Sequence, residues 1–128
     1  MLDFGIADRR ALICASSRGL GYGCAEALAR AGVTLILNAR DEAQLTIAAD
    51  TLRRKTGAQI EIVAADICTE EGRSLVLKKA GRIDILVNNA GGPPMGHFKD
   101  WSREDWIKAI DQNMLTAIEM IKAVIDPM

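Results

Sequence analysis

Several residue types are scarce in this chain of 128 residues, and each scarcity closes off a class of function. There are three cysteines, Cys14, Cys24 and Cys68, odd in number and widely scattered. They have no C-x-x-C spacing and no companion histidines, since His97 is the only one. That excludes a disulfide framework and gives no metal site, and it reads as reduced thiols used for packing. No excess of either charge exists: 16 Lys and Arg against 17 Asp and Glu leave a formal net charge of −1. Without a basic stripe, nucleic acid is not an expected partner. No apolar run approaches the roughly 20 residues of a membrane span. The opening segment MLDFGIADRR lacks the charge and apolar layout of a signal peptide, so a cytoplasmic location is expected. Tyrosine is nearly absent too, with Tyr22 alone.

What is present is a regular alternation of strand and helix patterns. Ala11–Cys14 reads as a short buried strand and Gly19–Ala31 as a helix closed by Gly32. Val33–Leu37 is rich in branched residues and reads as a second strand. Asp41 caps a helix running to about Lys55, closed by Gly57. Ile60–Ala64 alternates around Glu61 as a third strand, and Thr69 caps a helix to about Ala80 that Gly72 should weaken. Ile83–Val87 is a fourth strand, followed by a Gly-Gly-Pro-Pro loop and a long helix over 102–126 begun by a Ser102/Asp105 capping box. Strand–helix repetition predicts a Rossmann-type α/β domain: a doubly wound parallel sheet in the order 3-2-1-4. The length fits one domain, residues 1–128.

Two motifs carry the chemistry. Cys14-Ala15-Ser16-Ser17-Arg18-Gly19-Leu20-Gly21 runs from strand to helix, where backbone N–H groups at a helix N-terminus can bind phosphate. Helix-on-strand packing alone would also favour small residues there. Asn88-Asn89-Ala90-Gly91 directly follows the fourth strand. The first motif resembles the T-G-x-x-x-G-x-G fingerprint of the short-chain dehydrogenase/reductase family, with Cys14 in place of threonine and Ala15 in place of the first glycine. The second resembles the same family's NNAG signature. The Ala15 methyl is expected to crowd the turn slightly.

The resemblance implies a coenzyme site made by Ala15, Ser17, Arg18, Gly19, Leu20, Gly21, Arg40, Asp66, Ile67, Asn89, Ala90 and Gly91. Asp66 matches the aspartate that hydrogen-bonds the adenine amino group, with Ile67 beside the ring; a strand-end cap is the other use of that aspartate. Asn113 matches the family's catalytic asparagine, and a solvent-facing asparagine is the alternative. NAD enzymes place an acidic residue about 20 residues beyond the glycine turn. Here Ala39 and Arg40 stand there, with Arg18 facing the same region. Two guanidinium groups suit a 2′-phosphate, so NADP(H) is expected in preference to NAD(H).

The family reaction implied is hydride transfer to or from a carbonyl or alcohol, closest in pattern to 3-oxoacyl-carrier-protein reductases. Its tyrosine base, the lysine four residues on and its serine have no counterpart here: Tyr22 is followed four residues later by Glu26. The chain is therefore expected to be the coenzyme-binding half, truncated after the long helix, with the C-terminal strands missing. It is expected to be inactive alone and prone to self-associate through the apolar fourth strand. The alternative is a non-catalytic nucleotide-binding or dimerisation module. Along the last helix Ile107, Ile110, Met114, Ile118, Ile121 and Ile125 form a stripe. Core burial explains it, and so does pairing with a second copy in a homo-oligomer, for which Met120 and Val124 widen it. Trp101 and Trp106 are expected to pack the helix entry onto the sheet, and His97 to be a solvated loop residue.

Overall fold

Side chains along a strand alternate between faces, so a strand apolar at every position demands cover on both sides. The computed structural model, which describes residues 2–128, meets that demand with a four-stranded parallel sheet in the order 3-2-1-4. The strands are β1 (Arg10–Ile13), β2 (Thr34–Ala39), β3 (Ile60–Ala64) and β4 (Ile85–Val87). Helices α1 (Gly19–Arg30), α2 (Glu42–Thr56) and α3 (Glu70–Ala80) link them. A short 3-10 turn at Phe98–Asp100 leads to α4 (Arg103–Ile110), a π-helical turn at Asp111–Leu115 and α5 (Thr116–Val124).

The alternation is visible residue by residue. Ala11, Ile13, Leu35 and Leu37 pack under α1 and α2 against Ala25, Ala29, Leu45 and Leu52. Leu12, Cys14 and Ile36 face the other way, onto Val76 and Ala80 of α3 and Met120 and Val124 of α5. β1 is central, pairing Leu12 with Ile36 on one side and with Leu86 on the other. β4 is an edge strand whose three residues are only part-buried.

Several boundaries differ from the apolar pattern for identifiable reasons. β2 extends through Asn38 because that buried amide is satisfied inside the sheet, donating to the Val63 and Ala65 carbonyls at 3.1 and 3.0 Å. β4 begins at Ile85 because Asp84 is engaged with the start of β1: the Arg10 N–H donates to Asp84 Oδ2 at 2.9 Å, and the Asp84 N–H to the Arg10 carbonyl at 2.8 Å. The caps form as expected, with Asp41, Thr69 and Ser102 each accepting from a backbone N–H in the first turn of its helix. Gly57 closes α2 in the left-handed region, at φ 72°.

Gly72 is not the weak point its position suggested. It is buried, and a side chain there would overlap the Asp66 carbonyl oxygen. The apolar stripe is also placed differently. Ile107, Ile110, Met114, Ile118, Ile121 and Ile125 are between 43% and 57% exposed, while the helix buries Thr116, Met120 and Val124 instead. Trp106 is 48% exposed and meets Phe98 edge-on rather than packing on the sheet. Trp101 is half-buried beneath the loop, where a side chain on Gly96 would come within 2.7 Å of its indole ring. His97 is exposed, its Nδ1 accepting from the Lys99 N–H at 3.4 Å. Among the described residues no helix is long and apolar enough to cross a membrane, and no cluster of three or more potential metal ligands occurs.

Candidate functional site

In an open parallel sheet, strands leave a crevice at their carboxyl ends where successive connections depart to opposite faces. Here that point lies beside β1, which feeds α1 on one face while its neighbour β4 feeds the helix run on the other. A cleft of about 410 Å³ occupies it. Its walls include Ala15, Ser17 and Arg18 from the first turn, Arg40 after β2, Asp66 and Ile67 after β3, and Ala90 and Gly91 after β4. A second cavity of about 240 Å³ shares Ile67, Ala90 and Gln112 with it and adds Asn89, Asn113 and Thr116. Eight of the thirteen residues named from sequence thus line the cleft, and Asn89 and Asn113 line its neighbour. Gly19, Leu20 and Gly21 line neither; they form the start of α1.

The first turn is built by close approach. Ala15 adopts a left-handed backbone at φ 48°, so the departure from glycine is strained in conformation rather than merely crowded. A side chain at Gly21 would overlap the Ala15 carbonyl and lie 2.9 Å from Asn89 Nδ2. Asn89 donates from that Nδ2 to the Ala15 carbonyl at 3.1 Å, tying the end of β4 to the glycine turn. Ser16, fully buried, donates to the Ile13 carbonyl at 2.9 Å and accepts from the Asn38 N–H at 3.1 Å. Together with the Asn38 side chain, these bonds lace the ends of β1, β2 and β3 into one rim. Sequence reasoning missed Ser16 and Asn38. Their signal was available, since a polar residue inside an apolar strand needs partners.

The cleft carries both signs of charge, Arg18, Arg40 and Lys108 against Asp41, Asp66 and Asp105. Of the four helices that start from loops, α1 alone has no side-chain cap and no acidic residue in its first turn. Its first N–H groups remain available at the positive end of the helix dipole. Arg18 and Arg40 form no ion pair among the described residues. Of the two uses weighed for Asp66, the structure shows the local one: Oδ1 accepts from the Cys68 N–H at 2.9 Å, which makes a turn at the strand end and leaves Oδ2 without a protein partner among the described residues. Cys68 lines the cleft as well; burial pushes its thiol up and the Asp66 carboxylate adds to that, while the Thr116 hydroxyl and Arg40 oppose it.

Asn113 sits in the π-helical turn. Its Nδ2 donates to the Ala109 carbonyl at 2.9 Å, and Thr116 Oγ1 donates to the Asp111 carbonyl, five residues back, at 3.0 Å. π turns occur mostly as single insertions and frequently at functional sites. Tyr22 lines neither cavity and carries the Lys55 ammonium 5.8 Å from its ring centroid. The face that α4 and the π-helical turn present to the cleft, with Asp105 and Lys108 from the first and Gln112 from the second, was not foreseen, because a strongly apolar stripe obscured the polar one beside it.

Residues 9–128 match the family described as short chain dehydrogenase. The chain belongs to that family. It is 32% identical to L-sorbose reductase of Gluconobacter frateurii, solved in complex with NADPH and L-sorbose; the two superpose at a TM-score of 0.92 over 99% of this chain and 50% of that one. Gluconate 5-dehydrogenase of Gluconobacter oxydans is 34% identical over 116 residues, 87% of this chain and 44% of its own length. The 3-oxoacyl-acyl-carrier-protein reductase FabG of Chlamydia muridarum is 30% identical over 127 residues, 96% of this chain and 51% of its own. The short-chain dehydrogenase chain described here thus spans about half the length of these relatives. The family is one of oxidoreductases with a Rossmann-type fold, and solved members bind NADPH.

Proposed function

We propose that this chain is the coenzyme-binding half of an NADP(H)-dependent short-chain dehydrogenase/reductase, acting with a carbonyl or alcohol substrate. The observation that carries the reading is the cleft at the carboxyl ends of the strands, with Arg18 and Arg40 in no ion pair among the described residues and the start of α1 without a side-chain cap. Those groups fit a phosphate-bearing dinucleotide. The α1 N–H groups and Gly19–Gly21 would hold the pyrophosphate. Arg40 and Arg18 would grip a 2′-phosphate through paired, charge-assisted hydrogen bonds. Asp66 Oδ2 is free to accept from the adenine amino group, with Ile67 against the ring, and Ala90 and Gly91 leave room along the chain of the coenzyme. When bound, the nicotinamide would supply the hydride. Asn113, in the adjoining cavity beside Asn89 and Thr116, would stand toward the nicotinamide end.

A second reading is a nucleotide-binding module without hydride transfer of its own. It is favoured by Tyr22, which lies away from both cavities against Lys55. Both readings share the binding step and a self-associating surface on the helix run 103–124. Likeness to a 3-oxoacyl-acyl-carrier-protein reductase and to sugar-related dehydrogenases supports a carbonyl or alcohol substrate without choosing between them.

Titration with 2′,5′-ADP and with 5′-ADP tests the binding reading. Wild type should favour the 2′-phosphorylated ligand, and Arg40→Met should cost that ligand about 10-fold or more, as for a lost charged hydrogen-bond pair, while leaving 5′-ADP unchanged. Equal binding of the two ligands by wild type would refute the 2′-phosphate assignment.

A further inference from the structure

The cleft residue on which adenine selection would rest is held by a device that lies outside the cleft. The geometry points to Gly72 and Arg73 as positioning residues for the Asp66–Ile67 segment. The inference rests on the reading of Asp66 as the group that meets the adenine amino group.

The Asp66 carbonyl accepts from the Thr69 N–H at 3.1 Å and from the Thr69 hydroxyl at 2.8 Å. Thr69 Oγ1 in turn accepts from the Gly72 N–H at 3.0 Å. This chain of bonds draws the first turn of α3 so close to Asp66 that a Gly72 side chain would overlap the Asp66 carbonyl oxygen and lie 2.9 Å from Thr69 Oγ1. One residue on, Arg73 Nη1 donates to the Ile67 carbonyl at 3.1 Å. It forms no ion pair among the described residues, so its guanidinium is spent on this backbone grip. Neither residue lines the cleft. Arg73 holds the Ile67 carbonyl directly, and Gly72 acts on the Asp66 carbonyl through Thr69 and by close approach; the Asp66 side chain is turned so that Oδ1 takes the Cys68 N–H at 2.9 Å. Ile67 is correspondingly buried, 6% exposed. A shift of a few tenths of an ångström in this segment moves the free carboxylate oxygen directly, because among the described residues the Cys68 N–H on Oδ1 is the one hydrogen bond holding the carboxylate. Helix propensity gives the opposite expectation for Gly72: alanine there should strengthen α3.

The test compares NADPH with its hypoxanthine analogue, which carries a carbonyl in place of the adenine amino group, by nicotinamide fluorescence titration on the full chain. Wild type should prefer NADPH by about 10-fold or more, the worth of one hydrogen bond to a charged group. Gly72→Ala and Arg73→Met should each reduce that preference several-fold by weakening NADPH, with the analogue little changed. Asp66→Ala should abolish it. If Gly72→Ala fails to fold, Arg73→Met carries the decision. Retention of the wild-type preference in the variants, or equal weakening of both ligands, would overturn the positioning role while Asp66→Ala still upheld the adenine reading. No change in Asp66→Ala would overturn that reading and the inference with it.

Discussion

Ala15 holds the backbone of the glycine turn at φ 48°, a region that costs an L-residue roughly 1 kcal/mol or more. Its carbonyl is clamped by Asn89 and pressed against Gly21, so the turn cannot relax into an easier conformation. Cys14, next to it, faces the α3–α5 side of the sheet and is fully buried. Burial pushes its thiol up from 9.0 to about 12. Because the folded value is the raised one, the stability linked to this proton is complete below 9.0 and is lost as the pH climbs toward 12. The slope over that interval is about 1.4 kcal/mol per pH unit, and Cys14→Ala should flatten it in alkaline denaturation curves. In the native protein a thiol reagent at neutral pH should modify exposed Cys24 and leave Cys14 untouched until urea is added. At this scale the sequence was most informative where a residue type has a single good use. Arg40, Asp66 and Gly91 were nameable through the family resemblance, and all three line the cleft. The strained Ala15 and the close approach at Gly72 were not, since both depend on which backbone atoms tertiary packing brings near.

The helices are delimited by local chemistry, and so their starts were legible. Ser102 and Asp105 form a reciprocal capping box, with Asp105 Oδ2 accepting from the Ser102 N–H at 2.8 Å and the Asp105 N–H donating to Ser102 Oγ at 3.2 Å. The Ser102 backbone and hydroxyl hold the Asp105 carboxyl below its ordinary value of 3.8. A depressed folded value means the contribution is complete above 3.8 and is lost as the pH falls through the lowered value. Ser102→Ala should remove the cap and lower the urea midpoint at pH 7, with the difference from wild type shrinking in acid. What the pattern could not reveal is the π-helical turn at Asp111–Leu115. The residues there, DQNML, carry no proline or glycine to announce a break. The insertion is supported instead by Thr116, buried by packing and bonded to the Asp111 carbonyl. It separates two registers: the helix face toward the cleft before it, and the face toward the sheet after it. The six-residue stripe runs across both and belongs to neither.

For the whole molecule, strand order followed from alternation and handedness, and the two cores formed where apolar residues with period two required them. The direction of the last helix did not follow. An apolar stripe fixes that a helix has a face to cover, while competition among its faces decides which one meets the sheet. Met120 and Val124 won that competition, leaving six large apolar side chains about half exposed, and the apolar edge strand β4 is only part-buried as well. Exposed apolar surface of this kind favours association. Sedimentation at micromolar concentration should give a mass above the 13.8 kDa of one chain, and Ile121→Glu should shift it toward 13.8 kDa. A wild-type monomer across that range would count against a surface needing cover.

What enters the cleft at the carboxyl ends of the strands decides the function of this chain. Titrating the full chain with NADPH and with NADH, at one ionic strength, addresses this directly. Two unpaired guanidinium groups and an uncapped helix start lead us to expect NADPH to bind at least about 10-fold more tightly. Equal affinity for the two coenzymes, or binding of neither, would contradict the assignment of Arg18 and Arg40 to the 2′-phosphate.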